Sequence, residues 1–462
     1  MTNPSRNGTH MQQQGIEAPA LPLSAPSTPS GFLDRYFGIS EKGSTIAREV
    51  LAGLSTFLAL SYIFVVNPAI LDNAGINKNV SLFATLVISA AATLVMGLWA
   101  RLPFVLSTGM EMNAYVAFYV VGAAGFLWQD ALGMVFWSSI LMLVLTGLSI
   151  RERIIDAIPD SLKVGLSFSV GVFLILIALS IGGILSYKGL TLDHFGSVVS
   201  PAALALYFSL ALIFVFERFK VPGAVLLSIV ATSILYHLFG PVEAAAKPSQ
   251  PFTSEMFGGL FELNLGILFD PRAISIVLVL FVLDFYGSVA KFIGLTTSTN
   301  IVENGRLPRR TRALFVDAGA TTGASLLGTT SVITFVESAV GIGVGGRTGL
   351  TAVTCGLAML TCFFALPLIQ AVPVVATTGA LVYVGIKLCP TLERFRAIPT
   401  IDKVALASMP LVTIATFAID KAMLAGFAIF VLASLLTRGK RADPYLIGST
   451  VLLAVSVALQ LA

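Results

Sequence analysis

Long apolar runs separated by short polar stretches occupy most of the chain after residue 48. Each run approaches the length of about 20 residues that a helix needs to cross a bilayer. The pattern predicts spans near 49–71, 80–100, 104–122, 127–149, 162–185, 201–217 and 222–240 and, after a polar stretch at 241–268, near 272–294, 311–327, 330–345, 348–371, 374–390, 402–418 and 421–437. A last apolar segment, 443–461, is either an extra span or a helix lying against the bundle. We therefore predict an all-α polytopic membrane protein with fourteen spans.

The composition agrees with this prediction. Of 462 residues, 56% are hydrophobic and only 11% are charged, whereas soluble domains carry about 25% charged residues. The composition excludes a soluble enzyme, a secreted disulfide scaffold and a nucleic-acid binder. The net charge of +4 is too small to indicate a polyanionic partner. Residues 1–30, rich in Pro, Ser, Gln and Asn, are predicted to form a disordered tail.

Basic residues gather on one side of the predicted spans. If the N-terminus is cytoplasmic, the inside loops contain basic clusters at 151–163, 306–312, 394–403 and 438–441, and the outside loops contain scattered lysines. This is the distribution that the positive-inside rule describes. It places Arg151 in the inside loop after the fourth span. We expect a multi-pass protein of a plasma or bacterial inner membrane with its N-terminus in the cytoplasm.

Two groups of seven predicted spans flank the stretch at 241–268. An odd number of spans per half gives the halves opposite orientations, the plan of inverted-repeat transporters. The third span opens with FVLSTGMEMNAY and the tenth with GTTSVITFVESA, and Ser107 to Asn113 has the same separation as Ser331 to Glu337. Both stretches are predicted to be extended at first and helical afterwards. Such broken helices present backbone N–H groups at mid-membrane, where we expect the site.

Several carboxylates lie within apolar runs. A charged side chain at the bilayer centre costs about 2.5–3.5 kcal/mol on insertion scales, so it indicates function by default. Asp284 lies mid-span, Glu337 lies in the tenth span and Glu111 in the third. Asp317 is close enough to a cytoplasmic end to be interfacial. The alternative for each carboxylate is that it pairs with a neighbouring polar group.

Buried carboxylates next to broken helices are typical of cation-coupled uptake. One carboxylate can carry a proton across the membrane, and another can accept hydrogen bonds from a planar heterocycle. Asn113 offers an amide donor and acceptor opposite it. Phe285 and Tyr286 either stack on a flat ligand or pack in the interior. Thr108 and Ser331 are further candidate substrate-binding residues. No metal site is predicted.

At these residues the chain resembles a known family. REVLAGLSTFLALSYIFVVNPAIL, TGMEMNAY, DFYGS and GTTSVITFVESAVGIGVGGRTGLTAV are similar to segments of the nucleobase–cation symporters, in their azaguanine-type branch of adenine, guanine and hypoxanthine permeases. The resemblance runs from about residue 31 to 437. It implies the nucleobase–ascorbate transporter fold and purine import by proton symport, with no cofactor. It also implies that Asp284 and Glu337 are the substrate carboxylates and that Asn113 is the polar residue of the third span.

The same resemblance implies a division into domains and an elevator-type motion of a core domain against a gate domain. Possible dimerisation through the gate domains is a further expectation. The expected ranges are 31–150 and 272–372 for the core domain, 151–240 and 373–437 for the gate domain, 241–271 for an extracellular linker and 438–462 for a C-terminal apolar segment.

The sequence departs from the family pattern at Glu111 and Lys291, which have opposite charges. Both are expected just cytoplasmic of the site, so we hypothesise that they form an ion pair and contribute to coupling. The rival arrangement pairs Lys291 with Asp317 and leaves Glu111 facing water. Either arrangement keeps open a same-fold symporter or uniporter for another small planar or anionic solute. Sodium is the alternative coupling ion. A channel, which needs a continuous polar lining, is the weakest alternative.

Glycines follow the tenth-span motif in SAVGIGVGGRTG. The spacing of a phosphate-binding loop is absent, so Gly341, Gly343, Gly345 and Gly346 indicate close helix packing and a cytoplasmic hinge. Arg347 is expected to anchor the inside face. Since no nucleophile–base or metal-hydrolase motif is present, the sequence does not predict an enzyme.

Overall fold

The computed structural model describes residues 31–151, 153, 159–188, 191–219, 221, 223–240, 254–298, 301, 307–417, 419–436 and 443–461. The tail predicted at 1–30 and the first part of the polar stretch, 241–253, lie outside these ranges. The rest of the apolar pattern forms helices that pack around one large hydrophobic core.

The helices of the first half are α1 Phe32–Phe37, α2 Ile46–Leu60, α3 Ile63–Asp72, α4 Lys78–Val95, α5 Met110–Ala114, α6 Trp128–Gly147, α7 Asp160–Ile181, α8 Pro201–Arg218 and α9 Ala224–Phe239. Those of the second half are α10 Pro271–Ser298, α11 Arg310–Leu327, α12 Ser338–Val344, α13 Gly349–Thr361, α14 Leu366–Gln370, α15 Thr378–Leu388, α16 Leu392–Ala397, α17 Thr400–Thr416, α18 Ile419–Leu436 and α19 Pro444–Leu461. The strands are β1 Leu106–Thr108, β2 Leu185–Lys188, β3 Thr191–Phe195 and β4 Val332–Thr334. Met96–Ala100 and Tyr115–Val121 are π-helical, and Ser254–Phe257, Leu265–Phe269, Cys362–Ala365 and Val374–Thr377 are 3₁₀ turns.

Local sequence explains where several helices begin. The side chains of Thr45, Ser200 and Thr348 accept hydrogen bonds from the first turns of α2, α8 and α13. Such N-caps satisfy backbone N–H groups that have no partner within the helix. Pro201 occupies the first turn of α8, where its missing N–H costs nothing.

The predicted spans coincide with helical or broken-helical segments. In the part of the chain that the structure describes, seven segments are long and apolar enough to cross a membrane by length and composition: Ile46–Asp72, Lys78–Ala100, Trp128–Gly147, Asp160–Ile181, Pro201–Arg218, Gly349–Ile369 and Val374–Ala397. The total of fourteen spans and the inverted repeats stay predictions.

The third and tenth predicted spans begin with strands that pair with each other. Strands β1 and β4 are antiparallel, with Thr108 opposite Val332. The pairing continues beyond the strands, because the N–H of Gly109 donates to Ser331 O at 2.9 Å. Helix α5 follows β1 directly, and α12 begins four residues after β4. The predicted extended segments followed by short helices are therefore confirmed.

Two features were not predicted. Strands β2 and β3 form an antiparallel hairpin where the fifth span was expected to end, and α16 is a short separate helix. The final apolar segment forms α19, which packs against α10 and α18.

Close packing accounts for part of the glycine-rich stretch. A Cβ at Gly341 would lie 2.2 Å from Thr56 Oγ1 and 2.7 Å from Ala52 O, so α12 contacts the backbone of α2 directly. Gly345 ends α12 with φ +117°, a left-handed conformation that favours glycine. The packing prediction is wrong for Gly343, where a Cβ would meet nothing within 4 Å.

A buried carboxylate holds the loop that follows α12. Glu49, with 0% exposure, accepts hydrogen bonds from Arg347 N at 2.8 Å, Thr348 N at 3.2 Å and Thr351 Oγ1 at 2.5 Å. The guanidinium of Arg347 donates to Ile342 O at 2.6 Å. Arg347 thus anchors the end of α12, and its backbone partner is a carboxylate that the sequence pattern did not single out.

Candidate substrate-binding site

Asp284 lies in the middle of α10 and is 1% exposed. Thr321 Oγ1, on the neighbouring helix α11, lies 3.3 Å from Asp284 Oδ2 and 3.0 Å from Val332 O. The same hydroxyl oxygen accepts a hydrogen bond from Val332 N at 3.1 Å. A hydroxyl has a single proton, so Thr321 donates to one of these acceptors at a time. Thr321 connects the carboxylate to strand β4.

A buried ion pair lies beside Ser288, one helical turn after Asp284 on α10. Arg151 Nη2 lies 2.7 Å from Asp317 Oδ2, and the two side chains are 0% and 1% exposed. Ser288 Oγ donates to the same oxygen at 2.5 Å, and Arg151 Nη1 donates to Leu314 O at 3.1 Å. The alternative in which Asp317 pairs with a neighbouring polar group is therefore confirmed, whereas the inside-loop position of Arg151 and the interfacial depth of Asp317 stay predictions. Each charge is buried because the other neutralises it.

The Arg151–Asp317 ion pair also bears on the alternative partner predicted for Lys291. Asp317 is held by Arg151, and Lys291 instead places its Nζ 5.8 Å from the centre of the Phe335 ring. The proposed pairing of Lys291 with Asp317 is therefore wrong. The side chain of Glu111 lies outside the described residues, so the Glu111–Lys291 ion pair stays a prediction.

Phe285 and Tyr286 are the two aromatic candidates on α10, and the structure describes the side chain of the first. Phe285 is 1% exposed, its ring centre lies 5.5 Å from that of Phe281, and the Arg151 guanidinium lies 5.7 Å from it. In this conformation Phe285 packs in the interior. The side chain of Tyr286 lies outside the described residues.

Glu337 immediately precedes α12 and is half-buried. The hydroxyl of Tyr62, between α2 and α3, donates to Glu337 Oε1 at 2.7 Å. Both side chains line a cavity of about 740 Å³, within the usual size range of small-molecule sites. The cavity is lined by Ser55, Ala59, Tyr62, Glu217, Val221, Gly223, Ala224, Val225, Val336, Glu337, Ala339, Val340, Val344, Tyr383, Val384, Lys387 and Leu388.

Polar atoms without hydrogen bonds surround the β1–β4 pair. Thr108 Oγ1, Ser331 Oγ and Asn113 Oδ1 are fully buried and have no hydrogen-bond partner among the described residues. The Asn113 amide donates to Asn67 Oδ1, whose own amide donates to Thr85 Oγ1 at 2.6 Å. A buried polar atom without a partner costs about 1–3 kcal/mol. These three atoms are therefore suited to a polar ligand.

Strand β4 brings the two main candidates into one region. Asp284 reaches it through Thr321, and Glu337 follows it in the chain. Glu337 lines the cavity, whereas Asp284 is buried and is not among the lining residues. Across the described ranges, no three His, Cys, Asp or Glu side chains gather as metal ligands would. The cavity wall itself offers the carboxylate of Glu337 and the hydroxyl of Tyr62 to a polar ligand, whereas Asn113, Thr108 and Ser331 are not among its lining residues.

The comparisons with known proteins show the family of this chain. The model of the permease family matches residues 47–392. The chain belongs to this permease family. It is 35% identical to adenine permease AdeQ of Escherichia coli K12 over 80% of this chain and 83% of that protein. It is 31% identical to guanine/hypoxanthine permease GhxP of Escherichia coli O157:H7 over 90% of this chain and 94% of that protein.

Solved structures show the same fold at low sequence identity. The transmembrane domain of the cyanobacterial bicarbonate transporter BicA matches with a TM-score of 0.62 and 14% identity, covering 82% of this chain and 97% of that domain. The murine anion transporter Slc26a9 in its inward-facing state matches with a TM-score of 0.61 and 12% identity, covering 84% and 68%. The family predicted from sequence is confirmed. This permease is a multi-pass membrane transporter and not an enzyme.

Sequence reasoning missed the partners of the candidate carboxylates. Tyr62 and Thr321 lie in apolar or small-residue runs, and nothing in their local sequence indicates that they contact Glu337 and Asp284. Arg151 follows an apolar run, so the positive-inside rule assigns it to a loop, and nothing in its local sequence indicates that it pairs with Asp317. The sequence signal for this ion pair was Asp317 itself, because a carboxylate within an apolar run needs a cation as partner.

Proposed function

We propose that this permease is a secondary active transporter that imports purine nucleobases, namely adenine, guanine, hypoxanthine or similar compounds, by proton symport. The observation that carries the proposal is Glu337, which accepts a hydrogen bond from Tyr62 in the wall of a cavity of about 740 Å³ that α12, the second broken helix, also lines. Relatives named as adenine and guanine/hypoxanthine permeases give the substrate class.

The candidate residues suit a flat heterocycle with several N–H groups. The carboxylates of Glu337 and Asp284 are acceptors, and a carboxylate forms stronger hydrogen bonds than a neutral acceptor. Asn113, Thr108 and Ser331 supply the neutral groups, whose buried oxygens have no partners in the described part of the chain. Burial of the substrate would then satisfy polar atoms that are otherwise unsatisfied.

Proton coupling requires a buried group that gains and loses a proton during transport. Asp284 and Glu337 are the proposed coupling carboxylates, and Glu111 and Lys291 are proposed to assist them. A carboxylate enclosed in apolar surroundings binds a proton more readily than one in water. The proposal needs no resident cofactor, and sodium is the alternative coupling ion.

Alternating access is proposed to follow from an elevator-type movement of the core domain, 31–150 and 272–372, against the gate domain, 151–240 and 373–437. The cavity supports this division, because Tyr62 and Glu337 line it from the core domain whereas Glu217 and Tyr383 line it from the gate domain. We further propose a cytoplasmic N-terminus, a plasma or bacterial inner membrane location and a homodimer through the gate domains.

Uptake by proteoliposomes tests the proposed site. Asp284→Ala and Glu337→Ala are each expected to abolish accumulation of radiolabelled purines, while Glu393→Ala, at an exposed carboxylate, is expected to transport normally. Gel filtration checks that each variant is folded. Normal uptake by either core variant would refute the assigned site.

A separate experiment tests the coupling ion. Purine accumulation is expected to require an inward proton gradient and to collapse when a protonophore is added. Accumulation driven by a sodium gradient alone would refute proton symport and leave the site assignment intact.

A second candidate function is transport of another small planar or anionic solute by the same fold. It is favoured by two cations near the site, Lys291 beside the Phe335 ring and Lys387 in the cavity wall. Competition of labelled purine uptake by organic anions and by non-purine heterocycles separates the two. Strong competition by an anion together with weak competition by purines would favour the second candidate.

A further inference from the structure

A charged cluster lies on the gate side of the cavity. Tyr383 and Lys387 are four residues apart on α15 and so lie on one face. Lys387 Nζ lies 3.0 Å from Glu217 Oε1, near the end of α8, and the Tyr383 hydroxyl donates to the same oxygen. Lys387 Nζ also lies 5.1 Å from the centre of the Tyr383 ring. These three residues are called the gate cluster below.

The fold gains little from the gate cluster. The side chains of Lys387 and Glu217 are 55% and 38% exposed, and ion pairs with this exposure contribute about 0–1 kcal/mol. Glu217 is the next-to-last residue of α8, where the helix dipole disfavours a negative charge. Stability alone therefore does not explain why a carboxylate is held at this place in the cavity wall.

The opposite wall carries a similar arrangement. There Tyr62 donates to Glu337, as Tyr383 donates to Glu217. Tyr383 lines the same cavity as both carboxylates. One cavity thus contains two carboxylates, each held by a tyrosine hydroxyl, on walls that the proposed mechanism moves relative to each other.

One oxygen of Glu217 is available for a ligand. Both contacts of the carboxylate fall on Oε1, and within the described part of the chain no hydrogen bond joins Oε2. The cavity lining carries two carboxylates and one ammonium group. Such a lining favours neutral compounds that donate several hydrogen bonds over anions.

We propose that Glu217, positioned by Tyr383 and Lys387, is a second substrate contact on the gate wall and that its Oε2 accepts a hydrogen bond from an exocyclic amino group of the heterocycle. The inference rests on the proposed purine transport. Guanine carries a 2-amino group, whereas hypoxanthine carries none. Glu217 therefore favours guanine over hypoxanthine.

The test compares KM for guanine and hypoxanthine in proteoliposomes and Kd for both by calorimetry on protein in lipid nanodiscs. Glu217→Gln is expected to raise KM and Kd for guanine about tenfold, the loss typical of one charged hydrogen bond, and those for hypoxanthine distinctly less. Asp72→Asn removes a carboxylate from an ion pair of similar exposure, Lys78–Asp72. It is expected to leave both values unchanged.

The ratio of the two KM values separates substrate contact from a structural role. A structural ion pair would lower the maximal rate or the melting temperature and leave the guanine-to-hypoxanthine ratio as in the wild type, and that result would overturn the inference. If Glu217→Gln does not fold, Tyr383→Phe carries the same comparison, with a smaller shift of the ratio in the same direction. Absence of purine uptake by the wild-type protein would instead refute the proposed function itself.

Discussion

Arg151 and Asp317 form an ion pair inside the protein, with 0% and 1% of their side chains exposed. Ser288 and the carbonyl of Leu314 supply further hydrogen bonds, whereas Arg151 Nε and Asp317 Oδ1 have none among the described residues. The pair contacts Ser288, one turn after Asp284 on α10, and the Arg151 guanidinium lies 5.7 Å from the centre of the Phe285 ring.

Removal of one partner of the Arg151–Asp317 ion pair should lower the free energy of unfolding. Arg151→Ala leaves Asp317 buried without a cation, and we expect a loss of about 3–5 kcal/mol in the free energy of unfolding. Denaturant titration in detergent micelles measures it. The double variant Arg151→Met, Asp317→Leu removes both charges and should be more stable than the single variant. A single variant as stable as the wild type would contradict this account.

Tyr62 should matter for substrate affinity. Tyr62→Phe removes the hydroxyl that holds Glu337 Oε1 at 2.7 Å, so the carboxylate loses its orientation in the cavity wall. We expect KM for purines to rise about tenfold, the usual weight of a hydrogen bond to a charged group. Tyr36→Phe, which removes a hydroxyl bonded to Leu98 O, is the matched control and should leave KM unchanged.

The identity of the candidate carboxylates was readable from the sequence, because a charge in an apolar run is rare and costly. Their partners were not. Tyr62 and Glu337 are 275 positions apart, and Thr321 and Asp284 are 37 apart. No local pattern links residues at such separations, since only the folded chain brings them into contact.

At the scale of secondary-structure elements, α12 packs closely against α2. Gly341→Ala would place a Cβ 2.2 Å from Thr56 Oγ1 and 2.7 Å from Ala52 O, closer than such atoms approach. We expect α12 to shift, the melting temperature to fall and purine uptake to drop severely. Gly343→Ala, on the same helix with nothing within 4 Å of its Cβ, should behave as the wild type. Equal effects of the two substitutions would contradict the packing argument.

The extended conformation of β1 and β4 was predicted from two matching motifs, because both are rich in small and β-branched residues that suit extended backbone. Their pairing with each other and the register of that pairing are set by the tertiary structure. The hairpin of β2 and β3 was missed since its first strand continues an apolar run. A periodicity argument assigns such residues to the end of a helix.

At the scale of the whole molecule, substrate binding should stabilise the folded state. A ligand that binds only the folded protein adds about 2.7 kcal/mol at 100 times its Kd. We expect guanine, hypoxanthine or adenine to raise the melting temperature of purified protein, with the rise increasing with ligand concentration. Glu337→Ala should lose most of the shift. A shift of wild-type size in that variant would place the binding site elsewhere.

The sequence by itself determined the membrane class, the order of the apolar segments, the family and the two broken helices. Hydrophobicity and motif spacing are local properties of the chain, so they can be read from the sequence without knowledge of the fold. The tertiary structure decided which groups contact each carboxylate: Arg151 neutralises Asp317, Tyr62 donates a hydrogen bond to Glu337, and Tyr383 and Lys387 contact Glu217. It also placed Glu337 and Glu217 on opposite walls of one cavity. The energy of a buried charge depends on its neighbours in space, and these are set only when distant helices pack together.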